Sequence, residues 1–356
     1  MPTFGEPKSV PKIQFGVSLA IGTFWSTVSL VNFVISLIKK GPKKIFTVND
    51  HRLAPACLSD DEYGIHSFTT TSTGVKIHYV AAGNANSPLM IFLHGFPENW
   101  YSWRHQISYF KSKFRTVAID MRGYGESGKP EGVQNYWIPY LVEDVKDVME
   151  ALGYKNCVLV AHDWGGAVAW SVAAKYPEII NKLIICNCPQ GTAFQKILKT
   201  DRKQFLKSWY MFFFQIPYLP EFLIKLSDYG FIRKVFCSKQ MGLQQRSLTE
   251  EEMEAFIYSI SQPGALTATI NYYRATFRYI IPKEYRRTIK VPSLVIWGTK
   301  DGALSTSMAE LSCKFVEARS SVDYVDGASH WVQQDNPEQV NKSIDKFISE
   351  TNDSKL

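Results

Sequence analysis

Asp163 sits in the stretch Val158-Leu-Val-Ala-His-Asp-Trp-Gly-Gly166, where an apolar run meets two glycines. Val158 to Ala161 reads as a buried strand. Ala167 to Ala174 reads as a helix that starts near Gly165 and ends before Pro177. The spacing predicts a sharp strand-to-helix turn with Asp163 at its apex. Such a nucleophile elbow is usually written G-x-S-x-G, so Ala161 replaces the first glycine and Asp163 the serine. A serine suits acyl transfer because its ester can be hydrolysed, whereas on a saturated carbon it would form a stable ether. A carboxylate attacking a saturated carbon forms an ester that water can open again. It is ionised at neutral pH, with a model-peptide pKa of about 3.9, and attacks without a base. The dipole of the helix starting at Gly165 favours negative charge there. The pattern predicts alkyl transfer to Asp163 followed by hydrolysis, with an epoxide or an alkyl halide as substrate. A bare helix-capping aspartate is the competing explanation, and the partners of Asp163 weigh against it.

Those partners are Asp301 and His330, each placed just after a predicted strand. Ser293 to Trp297 leads into Gly298-Thr-Lys-Asp301, and Ser321 to Val325 leads into Gly327-Ala-Ser-His-Trp331. His330 is expected to take a proton from water, and Asp301 to orient the imidazole and stabilise its charged form. Hydrolysis of an Asp163 ester develops an oxyanion. The expected donors are the backbone N–H groups of Trp164 and of Phe96, since Pro97 has none to give.

The rest of the chain supplies elements to position these groups. His66 to Ala82 reads as a hairpin turning near Ser72-Thr-Gly74. Pro88 to Leu93 and Phe114 to Asp120 read as strands, Trp100 to Phe110 and Tyr136 to Leu152 as helices, and Leu183 to Cys188 as a strand. This alternation argues for an α/β class with a mainly parallel, doubly wound sheet. From Pro189 to about Lys290 it is interrupted by an aromatic stretch of helical periodicity, which reads as a helical lid insertion over 189–290. The core is then 63–188 and 291–350, closed by a helix from Pro337 to Glu350.

The 356 residues suffice for one large α/β domain with an insertion. The net charge of +7 does not indicate nucleic acid. Lys8, Lys12, Lys39, Lys40, Lys43, Lys44 and Arg52 flank one apolar segment, and there is no zinc-finger spacing. Ile13 to Ile38 carries no charge and as a helix would run about 39 Å, against roughly 30 Å of hydrocarbon core. It ends in lysines without a small-residue cleavage site, so 13–38 is expected to be a retained anchor in contact with membrane lipid rather than a signal peptide. Ser18, Ser26, Ser29, Asn32 and Ser36 lower its apolarity, so it either spans or lies at the interface. Residues 39–62 read as a juxtamembrane linker. The excess of Lys39, Lys40, Lys43 and Lys44 over Lys8 and Lys12 places the catalytic part on the cytosolic side, with the endoplasmic reticulum as the expected membrane. The sequons Asn341-Lys-Ser343 and Asn352-Asp-Ser354 matter only in the opposite orientation. Cys57, Cys157, Cys186, Cys188, Cys237 and Cys313 read as reduced, mostly buried thiols, with Cys186 and Cys188 on one strand face.

His94-Gly-Phe-Pro-Glu-Asn-Trp-Tyr-Ser-Trp-Arg104, Asp120-Met-Arg-Gly-Tyr-Gly-Glu-Ser127, His162-Asp-Trp-Gly-Gly166 and Ser329-His-Trp331 resemble the epoxide hydrolase branch of the α/β-hydrolase superfamily. The order Asp163, Asp301, His330 is the order of that fold. With the N-terminal anchor, Phe214-Gln-Ile-Pro217 and Ser261-Gln-Pro-Gly-Ala265, the chain is similar to the animal membrane-anchored epoxide hydrolases. Ala161 and Ser329 stand where many relatives have glycine. The resemblance implies hydrolysis of a lipophilic epoxide by water, without metal or organic cofactor, and a lid tyrosine pair that protonates the opening ring. Tyr210, five residues before Gln215, and Tyr273, just before Arg274, take these places, with Tyr272 as the alternative register. Phe96, Trp164, Tyr210 and Tyr273 are the expected substrate-binding residues, and epoxy fatty acids fit an aromatic lid. A haloalkane dehalogenase shares the Asp nucleophile and the following Trp. Halide, however, needs N–H donors rather than phenols, and Glu98 is typical of the epoxide branch. A fluoroacetate dehalogenase would have Arg in place of Trp164, and a serine esterase would need a serine at 163. A non-catalytic lipid-binding or receptor protein on the same fold is the alternative from another class.

Overall fold

The computed structural model describes residues 5–49, 51–59 and 61–350. Helices α1 (Lys12–Lys40) and α2 (Pro42–Phe46) precede the hairpin β1 (Ile65–Thr70) and β2 (Lys76–Ala82). Then come β3 (Leu89–Leu93), α3 (Arg104–Phe110), β4 (Arg115–Ile119), α4 (Ile138–Ala151), β5 (Cys157–His162), α5 (Asp163–Lys175) and β6 (Ile180–Cys186). Six helices follow: α6 (Gly191–Thr200), α7 (Arg202–Lys207), α8 (Trp209–Phe213), α9 (Leu219–Cys237), α10 (Glu250–Ser261) and α11 (Ala265–Arg278). The chain closes with β7 (Ser293–Gly298), α12 (Ser307–Cys313), β8 (Ser320–Val325), α13 (Val332–Asp335) and α14 (Pro337–Ser349).

The strands form one sheet in the order β1-β2-β4-β3-β5-β6-β7-β8. β1 pairs antiparallel with β2, and β2 with β4, while every later pair is parallel. β3, β5 and β7 are buried along their whole length, as strands covered by helices on both faces must be. Parallel pairing puts the carboxyl ends of β3, β5, β7 and β8 along one edge, the place where open α/β sheets gather their ligands.

Several elements depart from expectation for local reasons. The helix expected from Trp100 begins instead as a 3-10 turn over Trp100–Trp103, where the Asn99 side chain accepts the Tyr101 N–H at 2.9 Å. β6 stops at Cys186 because Asn187 takes φ 42°, so Cys188 leaves the strand and does not share a face with Cys186. Of the six free cysteines, Cys157, Cys186 and Cys188 are buried, whereas Cys237 is exposed. α12 and α13 were not anticipated. The stretch expected as a linker carries α2 and a short turn over Ala56–Leu58, and it is bonded to the helical insertion. Asn341 is buried and accepts from Gln106 Nε2 at 3.1 Å, which shields that sequon. Asn352 lies outside the described residues.

Candidate active site

β5 delivers Asp163 into a turn that only a crowded backbone can make. Asp163 has φ 47°, a left-handed conformation in which few side-chain-bearing residues sit without compensation. The compensation comes from bare neighbours. A Cβ on Gly95 would stand 2.4 Å from the Asp163 Cβ, and one on Gly165 would stand 2.3 Å from the Leu93 carbonyl oxygen. Glycine at both positions lets the turn after β3 and the first turn of α5 close on the carboxylate. Ala161 in place of the usual glycine is fully buried in β5.

The three residues singled out by sequence come together. His330 Nδ1 lies 2.9 Å from Asp301 Oδ2, and His330 Nε2 lies 3.5 Å from Asp163 Oδ2. The Phe96 N–H donates to the other Asp163 oxygen, Oδ1, at 3.0 Å. The Trp164 N–H lies in the first turn of α5, where backbone donors have no acceptor within the helix. Asp301 is held by Asn187 Nδ2 at 2.6 Å and by the N–H groups of Ala303 and Leu304 at 2.7 and 2.8 Å. Burial alone would lower the pKa of His330. The Asp301 and Asp163 carboxylates outweigh burial and raise it to about 10. Burial would raise both aspartates, but the His330 ring beside them, and the N–H donors, hold both below the usual carboxylate range.

Tyr210 and Tyr273 line the same cavity as Asp163 and Trp164, with a volume of about 430 Å³. Their ring centroids are 5.8 Å apart, and the Tyr273 ring meets Trp164 edge-on at 4.9 Å. Burial, reinforced by neighbouring groups that include the Asp163 charge, pushes both phenols above their ordinary pKa, so both stay protonated donors. The Phe96 ring is 5.6 Å from Tyr273. The alternative Tyr272 is turned away, its hydroxyl donating to the Arg122 carbonyl at 2.7 Å.

Other residues support the site without having been singled out for it. Glu98 is fully enclosed beneath the site and meets His162 Nδ1 at 2.7 Å and the Gln333 and Gln334 amides at 3.0 and 2.7 Å. Burial would raise Glu98, yet His162 beside it lowers it. The other ring nitrogen of His162 lies 2.8 Å from the His330 carbonyl, so Glu98 fixes the loop that carries His330. Gln215 bridges the Met211 and Tyr273 carbonyls, and Arg274 binds the Phe214 carbonyl and Glu221. These two side chains brace α8 against α11, and so Tyr210 against Tyr273. Glu98 and Gln215 lie inside quoted motifs, but a role in bracing shows only once the distant partners are known.

A family profile for the alpha/beta hydrolase fold matches residues 88–337. Human epoxide hydrolase 4 is 44% identical over 314 residues, covering 87% of this chain and 86% of the relative. Epoxide hydrolase 3 of Xenopus tropicalis is 39% identical, over 96% of this chain and 93% of the relative. A crystal structure of a Bacillus megaterium epoxide hydrolase with an inhibitor superposes with a TM-score of 0.68 at 30% identity, over 80% of this chain and all of that one.

Proposed function

The chain belongs to the α/β-hydrolase fold family, in its epoxide hydrolase branch, and on that premise we propose that it hydrolyses lipophilic epoxides to vicinal diols through an ester on Asp163. The observation that carries this reading is the carboxylate of Asp163, one oxygen on the Phe96 N–H and the other facing His330, in a cavity it shares with two phenols.

Asp163 Oδ2 attacks a ring carbon, forming a C–O bond as the ring C–O bond breaks. The departing alkoxide takes a proton from Tyr210 or Tyr273, a positioned acid being worth about 10²–10⁴-fold. The resting imidazolium of His330, relayed through solvent, restores the phenol. Alkylation removes the Asp163 charge, and with it one of the two anions that hold the His330 proton. The neutral imidazole then takes a proton from water, whose oxygen adds to Asp163 Cγ. The oxyanion forms on Oδ1 at the Phe96 and Trp164 N–H groups. Collapse expels the diol, which takes its proton from His330. The Asp163 carboxyl then returns a proton to His330. The sum is one epoxide and one water to one diol.

A lipophilic substrate is supported by the aromatic lining of the cavity, and an epoxy fatty acid is the class we assign. α1 is long and apolar enough to cross a membrane, and we assign it membrane attachment, with the catalytic body on the cytosolic face of the endoplasmic reticulum. Protease protection of intact microsomes tests that orientation.

The chemistry is tested by a single turnover in ¹⁸O-labelled water with excess enzyme. The first diol should carry unlabelled oxygen, because Asp163 supplies it. Label in that first diol would mean direct attack by water and would remove Asp163 as nucleophile. Halide release from an alkyl halide without diol from any epoxide would favour a dehalogenase.

A further inference from the structure

We propose that α1 lies flat in one membrane leaflet, with both ends on the same face, and that it walls the catalytic cavity on the bilayer side. This rests on the membrane attachment assigned above, not on the ester chemistry. A helix of 29 residues is about 43 Å long, and either end of a spanning helix would stand on an opposite face of the bilayer. Here both ends are bonded to one body. Ahead of α1, Ser9 pairs with Tyr279, the Val10 N–H donates to the Arg278 carbonyl at 2.9 Å, and the Ile280 N–H donates to the Lys8 carbonyl at 2.8 Å. Beyond α1, Ile45 is buried, the Asp228 N–H donates to the Thr47 carbonyl at 2.9 Å, and Arg52 pairs with Asp228 and Glu254.

The middle of the helix rests on the helical insertion. Ser18, Gly22 and Ser26, spaced by four, form its buried edge. A Cβ on Gly22 would stand 2.5 Å from the Phe212 carbonyl oxygen of α8, so the two backbones touch. Trp25 meets Trp209 at 5.7 Å, and Phe33 meets Phe222 at 5.8 Å. The opposite edge carries Ile13, Val17, Phe24, Val31, Ile35 and Ile38, from 42% to 84% exposed. One helix face cannot stay that apolar in water without a cover. The charge pattern names the cover as lipid. The exposed lysines 8 and 12 sit at one end, and 39, 40, 43 and 44 at the other. They form a cationic collar at headgroup level around an uncharged face, the pattern of an interfacial helix.

The same helix reaches the catalytic cavity. Gln14 and Ser18 line it together with Asp163, Tyr210 and Tyr273. Arg286 lines both this cavity and an adjoining exposed groove that carries Lys283, Arg287 and Lys290. Two residues of α1 and the Arg286 cation therefore line one cavity with the catalytic groups. A lipophilic epoxide passes from the leaflet into the cavity beside Gln14 and Ser18 without crossing bulk water.

The test uses microsomes that contain the full chain, with the exposed and half-buried thiols removed by Cys57→Ser, Cys237→Ser and Cys313→Ser. Lys8→Cys and Lys43→Cys are introduced singly and treated with a membrane-impermeant maleimide, before and after detergent. The inference expects both positions to behave alike in intact microsomes. Labelling of one and protection of the other means a spanning helix and overturns it. Protection of both keeps α1 in plane and overturns only the cytosolic orientation. Loss of the protein from the membrane fraction overturns membrane attachment and this inference with it. A dimer in which a Phe24→Cys thiol becomes shielded, without binding to phosphatidylcholine–phosphatidylserine vesicles, would assign the face to a second copy and overturn it. In a second arm, Ser18→Phe should raise KM for a long-chain epoxide presented in vesicles by about tenfold relative to a short water-soluble epoxide. An equal effect on both would remove Ser18 from the path.

Discussion

At the scale of single residues, the proposed ester mechanism divides the labour of the site between two half-reactions, and substitutions should separate them. Asp163→Asn removes the nucleophile and should lower diol formation by at least about 10⁴-fold, with no covalent adduct by mass spectrometry. His330→Gln keeps Asp163 and the phenols but loses the base. It should therefore accumulate one equivalent of alkylated enzyme, with the added mass on the Asp163 peptide. Its absence would contradict the assigned order of steps. Tyr210→Phe and Tyr273→Phe leave a second phenol in the same cavity. The double variant should lose about 10²–10⁴-fold in kcat/KM, and either single variant clearly less. Equal losses for one single and the double would assign ring protonation to one hydroxyl.

At the scale of elements, what matters is how closely backbone segments approach. The turn after β3 touches the elbow through Gly95, where an added Cβ meets the Asp163 Cβ rather than the loose end of a side chain. Gly95→Ala should push Phe96 away from Asp163 Oδ1 and lower kcat by about 10²-fold, as displacements near 1 Å do, while circular dichroism stays unchanged. Glu98 links the same turn to β5 and to α13 through His162, Gln333 and Gln334. Glu98→Ala leaves these buried groups without an acceptor and should destabilise the fold by about 3–5 kcal/mol in urea unfolding. Glu98→Gln keeps part of the network and should cost less. A change below about 1 kcal/mol for Glu98→Ala would mean that solvent replaces the carboxylate.

At the scale of the whole molecule, the charges of the site set how stability varies with pH. His330 is raised from 6.5 to about 10 on folding. Its contribution is fully present below the unfolded value near 6.5 and is lost as pH rises through about 10. Asp163 and Asp301 are lowered from 3.8, so their contribution is present above that value and is lost as pH falls below it. Tm should therefore be highest between these limits and decline toward pH 10. His330→Gln should flatten that alkaline decline, and an unchanged decline would place its cause elsewhere.

The sequence by itself carried the architecture and singled out three residues that the structure brings within reach of one another. Asp163 and Asp301 follow short apolar runs that form the fully buried β5 and β7, His330 follows the half-buried β8, and strand order brings all three to one sheet edge. Those signals are local, since periodicity and turn residues act within a few positions. Tertiary structure alone decided the rest. Which of two adjacent tyrosines faces the cavity depends on Arg122, 150 residues away, whose carbonyl takes the Tyr272 hydroxyl. The role of Glu98 depends on glutamines 235 and 236 positions distant. Asn187 ends β6 and grips Asp301 because its left-handed turn points the amide across the sheet edge. An uncharged run such as Ile13 to Ile38 states only that the helix avoids water. Its seat against α8, fixed by the bare backbone at Gly22, is a contact between distant surfaces that no local pattern encodes.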